Sequence, residues 1–312
     1  MGNRKILLIL SSPTASGKSY VALRVADHIP VEIISADSRQ IFTHMTVGTA
    51  KPTKEELAAV PHHFIDELEP GTPWNAGKFA SEARIVIEKI FDRGRVPFVV
   101  GGTGLYIKAL IEGIVDVPAV DSALRRSITN RFEQEGLDQL VGELRKVDPT
   151  GSEIIDTKNP RRVIRALEIY YMTGMTREEI QSKSNDPLQY PVLWFGLNWN
   201  RDALYKRIEE RVDHMLERGL IDEVRAILAM GCPKHANALQ SVGYAETIGY
   251  LEGKYSGEEL IQRIKKNTRR FAKRQITWFG KNEKIRWIDI RSNEDLDNAA
   301  LRIVEQYRAL AK

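Results

Sequence analysis

The residues with the clearest chemistry occupy positions 12–19 and read Ser-Pro-Thr-Ala-Ser-Gly-Lys-Ser. They follow an apolar run and match the phosphate-binding pattern Gly-x-x-x-x-Gly-Lys-[Ser/Thr], except that Ser12 replaces the first glycine. Small side chains let consecutive backbone N–H groups point at phosphate oxygens, and the start of the following helix adds partial positive charge. Lys18 supplies a mobile cation for terminal phosphates, and the Ser19 hydroxyl is a ligand for Mg²⁺. The stretch predicts a phosphate site rather than a turn that only caps a helix.

Two other polar segments also follow apolar runs. Asp37 comes shortly after Val31–Ser35, and Gly101-Gly102-Thr103-Gly104 follows residues 96–100. Taken alone, the aspartate could cap a helix or bind Mg²⁺ as in nucleotide hydrolases, and the glycines could serve only a tight turn. In parallel sheets, however, ligands bind beyond the carboxyl ends of the strands. The three segments together therefore predict one site.

The elements that must position these segments alternate between strand and helix. Apolar runs predict strands at residues 6–10, Val31–Ser35 and 96–100, and helical periodicity predicts helices at 18–28, 79–93 and 105–112. Continuously apolar strands that alternate with helices indicate a parallel sheet covered on both faces. The fold class is therefore α/β, a parallel-sheet core like that of P-loop nucleotide hydrolases.

The pattern changes after Val115, where helices dominate. Helices are predicted at Ser122–Glu135, Leu137–Val147 and Pro160–Thr173, followed by a strand at 190–197 and helices at 201–218 and 220–230. We interpret residues 1–115 and 191–312 as the α/β core with basic carboxyl-terminal helices. Residues 116–190 are then a helical insertion.

Composition narrows the class of protein. The 312 residues are 42% hydrophobic and 28% charged, as in ordinary globular proteins of one large or two moderate domains. No apolar run approaches the length of a membrane span, and an early strand argues against a signal peptide. Cys232 is the only cysteine, so a disulfide within the chain or a cysteine zinc site is not expected. These features predict a cytoplasmic protein.

Charge distribution indicates a nucleic-acid partner more than the net charge of +4 does. Residues 263–274 contain seven basic residues and no acid, so no acidic residue at i,i+4 spacing balances them within the run. Aromatic side chains, Phe271, Trp278 and Phe279, interleave or follow the run. A solvated helix face is the simpler alternative, but the clustering favours contact with an RNA backbone.

Three other features have plain structural interpretations. His62 and His63 resemble a metal pair, but adjacent residues do not share a helix face and no carboxylate is spaced to complete a site. Trp194 and Phe195 are predicted to lie in the core. Lys51 is expected to be structural or to face RNA before it would be catalytic.

Six motifs in order give the chain its resemblance to the tRNA dimethylallyltransferases, also called tRNA isopentenyltransferases. The likeness runs from about residue 5 to residue 279. The family usually has glycine where this chain has Ser12, which raises the question of loop geometry if a positive φ is needed there. The motifs are residues 12–19, 34–40 (Ile-Ser-Ala-Asp-Ser-Arg-Gln), 47–52 (Val-Gly-Thr-Ala-Lys-Pro), 99–106 (Val-Val-Gly-Gly-Thr-Gly-Leu-Tyr), 159–162 (Asn-Pro-Arg-Arg) with 165–168 (Arg-Ala-Leu-Glu), and 272–279 (Ala-Lys-Arg-Gln-Ile-Thr-Trp-Phe).

This resemblance implies transfer of a dimethylallyl group from its diphosphate to N6 of the adenosine just 3′ of the anticodon, in tRNAs that read codons starting with U. Asp37 would accept a proton from the attacking amine and orient it, and Thr103 would assist the leaving group. Mg²⁺, held partly by Ser19, would stabilise the departing diphosphate. The diphosphate-binding residues would be Ser12, Pro13, Thr14, Ala15, Ser16, Gly17, Lys18, Ser19 and Arg211.

The resemblance also implies a set of tRNA contacts. The target base would be flipped out of the anticodon loop into a channel, while the helical insertion at 116–190 grips the anticodon stem. The implied tRNA-binding residues are Asp37, Ser38, Arg39, Gln40, Thr103, Arg161, Arg162, Arg165, Gln240, Gly243, Tyr244, Lys273 and Arg274. For Arg211, a helix salt bridge with Glu210 or Asp222 is the competing role.

Three alternative functions stay open on the sequence. A P-loop kinase for a small metabolite would bind ATP but gives residues 263–274 no role. An adenylate isopentenyltransferase would modify free nucleotides, against which the insertion and the basic run both argue. A non-catalytic RNA-binding protein would not need Lys18 and Asp37. Nothing in the sequence requires an oligomer or a protein partner, and no contact with a membrane is expected.

Overall fold

The computed structural model describes residues 4–113, 121–182 and 186–311. Six strands of these residues form one sheet, and every neighbouring pair in it is parallel. The predicted α/β class with a parallel sheet is confirmed. The strands are β1 (Leu7–Ser11), β2 (Val31–Ser35), β3 (His62–His63), β4 (Val96–Gly101), β5 (Val192–Trp199) and β6 (Arg286–Ile290), in the order β3-β2-β4-β1-β5-β6.

Backbone contacts divide the chain into two compact units. The first joins Met1–Leu110 to Gln189–Lys312 and contains the sheet, and the second is Ile111–Leu188. The first unit carries α1 (Lys18–Ala26), α2 (Lys54–Ala59), α3 (Ala76–Asp92), α4 (Gly104–Glu112, which runs just past the boundary), α10 (Arg201–Glu217), α11 (Leu220–Ala229), a 3-10 helix (Asn237–Gln240), α12 (Tyr244–Leu251), α13 (Gly257–Phe279) and α14 (Glu294–Ala311).

The second unit is helical in its described residues. It has its own apolar core, in which Ile128, Leu140 and Leu167 are buried. The predicted boundary near residue 115 lies outside the described residues, and the compact unit begins earlier, at Ile111. Its helices are α5 (Ser122–Glu135), α6 (Leu137–Val147), α7 (Pro149–Ile154), α8 (Pro160–Thr173) and α9 (Arg177–Ser182).

Burial of the strands accounts for their apolar sequences. Leu8 and Leu10 of β1 are fully buried, with helix α1 and helix α14 packed against each other beside the sheet. Trp194 and Phe195 of β5 are buried, as predicted, and the Trp194 indole N–H donates to the Ser11 hydroxyl at 2.7 Å. The carboxyl edge of this buried sheet thus presents the loops that follow β1, β2 and β4.

Strand β5 differs from its predicted span of 190–197. The strand begins at Val192, after Pro191, and continues to Trp199 because its second half pairs with β6. That pairing extends the carboxyl edge of the sheet beyond the phosphate loop. None of the helices in the described ranges is long and apolar enough to cross a membrane.

Candidate active site

The phosphate loop joins β1 to α1 and has two residues with positive φ. Ala15 has φ 63°, and Gly17, which precedes the helix, has φ 84°. Ser12 is not among the described residues with positive φ, so serine at this position carries no left-handed strain. Its hydroxyl accepts the Leu197 N–H of β5 at 2.7 Å and donates to the Ser11 carbonyl at 2.6 Å. The serine therefore bridges β1 and β5 at the root of the loop.

Three charged side chains meet beside this loop. The Lys18 amine donates to the Pro13 carbonyl at 3.1 Å. The pKa of Lys18 is lowered to about 8, mainly by burial and also by the positive charge of Arg211, while the carboxylate of Asp37 opposes both effects. Burial likewise lowers the pKa of Arg211, with Asp37 again opposing. Two cations and one acid thus share a desolvated space.

The alternative role for Arg211, a salt bridge within its own region, is not found in the part of the chain that the structure describes. Glu210 faces Lys206 at 4.0 Å, and Asp222 pairs with Arg225. The Arg211 side chain instead lines the cavity that also holds Lys18. Its charge is available for an anion in that cavity.

Asp37 is held by the turn that follows β2. Its Oδ1 accepts the backbone N–H of Arg39 at 2.9 Å and, more weakly, that of Gln40 at 3.4 Å. The neighbouring Ser38 N–H donates to the Thr103 hydroxyl oxygen at 3.1 Å. One carboxylate oxygen therefore fixes the turn, and Thr103 is tied to the residue next to the acid.

Arg39 and Gln40, which were predicted to contact RNA, are both partly buried. Burial lowers the pKa of Arg39, and the side chain is half-buried. The Gln40 side chain accepts from the Ser35 hydroxyl at 2.9 Å and donates to the carbonyls of Thr49 and Ala50 at 3.3 Å each. Gln40 therefore organises the loop at residues 47–52.

The glycines after β4 are required by close packing. A Cβ on Gly101 would overlap the Ala36 carbonyl, one on Gly102 would overlap Gln275, and one on Gly104 would overlap the Trp278 indole. This lets the loop approach both β2 and helix α13. The three strand ends are thereby brought together, as the sequence predicted.

Gln275 belongs to the motif at 272–279, and the sequence predicted no role for it. It is 7% exposed, its Oε1 accepts the Thr14 N–H at 2.9 Å, and its Nε2 donates to the Gly102 carbonyl at 2.9 Å. One side chain of α13 thus joins the phosphate loop to the loop after β4. The available signal was its place in the motif at 272–279, directly after the basic run.

A single cavity collects these groups from five elements. Strands β2 and β4 and helices α1, α10 and α13 all contribute lining residues. The lining includes Thr14, Lys18, Ser19, Asp37, Gln40, Gly101, Gly102, Arg211, Phe271 and Gln275. Two cations and a carboxylate in one cavity suit an anionic substrate together with a nucleophile that loses a proton.

The donor set fits Mg²⁺ only if substrate oxygens complete its shell. No group of three or more His, Cys, Asp or Glu that could hold a metal occurs among the described residues. The Ser19 and Asp37 side chains do line the same cavity. Mg²⁺ commonly uses one or two protein ligands together with phosphate oxygens and water, so these residues suffice for it.

Two residues of the basic run on α13 have acidic partners outside the run. Lys265 pairs with Asp213 at 2.7 Å, and Arg269 pairs with Glu209, both acids belonging to α10. Spacing of i,i+4 within α13 cannot reveal these acids, because they lie on α10. Of the other five, Arg263 stacks on the Tyr255 ring, and four exposed residues have no acidic partner among the described residues: Lys266, Arg270, Lys273 and Arg274. We call these four residues the basic stripe.

The other predicted tRNA residues occupy diverse positions. On α8 of the second unit, Arg161 is exposed, Arg162 lies 3.9 Å from Asp156, and Arg165 bonds to the fully buried Glu168 at 3.2 Å. In the first unit, Gln240 is exposed and its amide donates to a backbone carbonyl at 2.9 Å.

Tyr244 requires a correction. It is fully buried, its ring packs so closely on Gly48 that a Cβ there would overlap it, and its hydroxyl donates to Glu223. Glu223 also accepts the backbone N–H groups of Val47 at 2.6 Å and Gly48 at 3.1 Å. Gly243 is buried as well. Tyr244 therefore supports the 47–52 loop from beneath and is not presented to RNA.

Lys51 has the structural role that was one of its two predicted alternatives. Its side chain is 1% exposed, and the amine bonds to the Phe42 carbonyl and the Asp66 carboxylate. The buried amine and the more exposed carboxylate thus join the loop between β2 and β3 to the segment after β3.

Known families and proteins are similar to this chain. The family model described as IPP transferase matches residues 40–283, and the model described as Isopentenyl transferase matches residues 5–72. The chain belongs to the IPP transferase family. It is an enzyme of the prenyltransferase type.

Similar proteins cover almost the whole chain. The tRNA dimethylallyltransferase 1 of Syntrophotalea carbinolica is 43% identical over 92% of this chain and 91% of its own length. The structure of the tRNA isopentenylpyrophosphate transferase of Bacillus halodurans is similar with a TM-score of 0.70 and 36% identity, covering 98% of this chain and 99% of its own. A eukaryotic dimethylallyltransferase acting on tRNA is similar with a TM-score of 0.82 and 29% identity, covering 96% and 78% of the respective chains.

Proposed function

We propose that this enzyme transfers a dimethylallyl group from dimethylallyl diphosphate to N6 of the adenosine just 3′ of the anticodon, in tRNAs that read codons starting with U. The observation that carries the proposal is the cavity in which Lys18 and Arg211 share a desolvated space with Asp37. The cations suit the diphosphate, and the acid suits an amine nucleophile.

The phosphate loop and its cations stabilise the leaving group. The C1–O bond of the allylic diphosphate breaks, its electron pair goes to the diphosphate, and the N6 lone pair forms the new C–N bond. Backbone N–H groups of the loop, Lys18 and Arg211 face the charge that develops on the diphosphate. The Ser16 hydroxyl is buried with no partner among the described residues, which is consistent with a loop built for a bound anion.

Asp37 receives the proton that N6 loses. Its Oδ1 is engaged by the backbone of the turn, which holds the carboxylate in place and leaves Oδ2 to face the amine. An exocyclic amine is a poor nucleophile, so orientation of N6 contributes at least as much as basicity. The Thr103 hydroxyl oxygen accepts from Ser38, and its own proton is available to the bridging oxygen of the diphosphate.

Mg²⁺ would be held by the Ser19 hydroxyl together with diphosphate oxygens. When bound, the ion supplies further charge stabilisation to the leaving group. The protein residues then bind the rest of the diphosphate through Lys18, Arg211 and the loop backbone.

Helix α13 carries the groups that we propose bind tRNA. The basic stripe is exposed on this helix, Phe271 of the same helix lines the cavity, and Gln275 touches both catalytic loops. Lysine and arginine bind the phosphates of RNA, and an exposed aromatic ring offers a surface on which a flipped base stacks. We propose that Arg161 and Arg162 of α8 add further phosphate contacts.

We also propose that the enzyme acts as a monomer in the cytoplasm. One chain supplies every group that the reaction uses, and the tRNA substrate is available in that compartment.

The experiment offers radiolabelled dimethylallyl diphosphate to the full chain with unmodified tRNA, free AMP and ATP in parallel. Label is expected in tRNA alone. A tRNA with guanosine in place of the target adenosine is the matched control and should stay unlabelled. Label in AMP, or turnover of ATP without label in tRNA, would instead support a nucleotide-modifying enzyme or a kinase.

A further inference from the structure

We propose that Arg207 is a positioning residue for the phosphate loop, acting together with Trp199. These two side chains hold loop carbonyls on one side of the loop, so that the following N–H groups face the diphosphate on the other. The inference rests on the proposed function in one respect, namely that the loop binds a diphosphate.

Arg207 contacts the loop from outside the cavity. Its Nε donates to the Ala15 carbonyl at 2.8 Å, its Nη1 donates to Asn293, and its guanidinium carbon lies 4.5 Å from the centre of the Trp199 ring. The Trp199 indole N–H donates to the Ser16 carbonyl at 2.9 Å. Two consecutive loop carbonyls are therefore bonded by one stacked pair of side chains.

Peptide geometry makes these bonds determine where the N–H groups point. In a trans peptide the C=O and the following N–H point in opposite directions. Holding the Ala15 carbonyl toward Arg207 turns the Ser16 N–H the other way, and holding the Ser16 carbonyl toward Trp199 does the same for the Gly17 N–H. Trp199 and Pro13 line a second cavity, whereas Lys18 and Asp37 line the proposed active site. The Gly17 N–H therefore points away from Trp199 and its cavity, and the Ser16 N–H points away from Arg207.

The loop residue that Arg207 contacts has an unfavourable backbone conformation. Ala15 has φ 63°, a left-handed conformation that residues with a Cβ disfavour. A charged donor on its carbonyl stabilises that conformation. Arg207 and Arg211 lie one helical turn apart on α10, so a single helix supports the loop from outside and supplies a cation inside.

The test measures binding of inorganic diphosphate to the full chain by titration calorimetry. Arg207→Met keeps the length of the side chain but removes the donors, and we expect diphosphate affinity to fall about tenfold or more. Trp199→Phe removes one neutral donor and should weaken binding less. Arg201→Met is the matched control, because Arg201 also stacks on an aromatic ring, that of Tyr205 at 5.2 Å, but does not touch the loop.

A rescue separates positioning from general damage. Glycine adopts positive φ freely, so Ala15→Gly added to Arg207→Met should recover part of the lost affinity. The affinity for tRNA should stay unchanged in both variants. Equal loss of diphosphate and tRNA affinity without rescue would overturn the inference, and so would wild-type diphosphate affinity in Arg207→Met. A wild-type chain that fails to bind diphosphate would instead refute the proposed function of the loop.

Discussion

Replacing Gln275 by methionine tests whether helix α13 holds the two catalytic loops in register. Methionine preserves the length and apolar packing of the side chain but removes both polar groups. The Thr14 N–H and the Gly102 carbonyl, each bonded at 2.9 Å, would lose their partner. Both loops would then be free to move relative to the sheet.

The size of the effect follows from the burial of these groups. A buried polar group left unpaired costs about 1–3 kcal/mol. Thr14 is half-buried and lines the cavity, so water can replace part of its lost bond, and we take the lower value for each group. Stability should then fall by about 2 kcal/mol, which corresponds to roughly 4–8 °C in melting temperature for a domain of this size.

Activity should fall as well, because the joined loops carry the diphosphate donors and Thr103. If the same loss of about 2 kcal/mol appears in the transition state, the rate constant falls roughly 30-fold. The assay is single-turnover transfer of the labelled dimethylallyl group, with thermal melting in parallel. Gln262→Met, an exposed glutamine on the same helix, is the control and should change neither value. A Gln275→Met enzyme with wild-type rate and melting temperature would refute the reasoning.

Three further predictions follow from other residues of the site. Diphosphate affinity should decrease as pH rises through about 8, since the protonated Lys18 binds the anion and its pKa lies there; Lys18→Arg should not show this decrease in calorimetry. Ser12→Ala should lower the unfolding free energy by about 1–3 kcal/mol in urea, because the Leu197 N–H loses its acceptor, while the KM for dimethylallyl diphosphate stays constant. Tyr244→Phe should cost about 1 kcal/mol through its lost bond to Glu223 and leave tRNA affinity unchanged; a clear loss of tRNA affinity would restore Tyr244 as an RNA contact.

Elements with strong local signals were predictable from the sequence. The bounds of β2, α5, α6 and α8 agree with the predicted spans. Asn159 caps the start of α8 through its side chain, and Gly174 ends that helix with φ 68°. Strand β3, only two residues long, is too short for any periodicity to reveal, so His62 and His63 gave no strand signal.

The site residues were predictable only where a single short motif contains all the residues that act together. The loop at 12–19, Asp37 and the glycines after β4 meet at one sheet edge because strand order places them there. Arg207 and Gln275 act through residues 192 and 261 positions away, and no local pattern encodes such partners. The pairing of Lys265 and Arg269 with acids of α10 is hidden for the same reason.

The central claim is that Asp37 takes the proton from the amine that attacks the allylic diphosphate. Asp37→Asn tests it most directly, because asparagine keeps an oxygen for the Arg39 N–H and so preserves the turn. Single-turnover transfer at saturating tRNA and dimethylallyl diphosphate should slow by about 10²–10⁴-fold, with both dissociation constants nearly unchanged. A wild-type rate of transfer in Asp37→Asn would contradict the account.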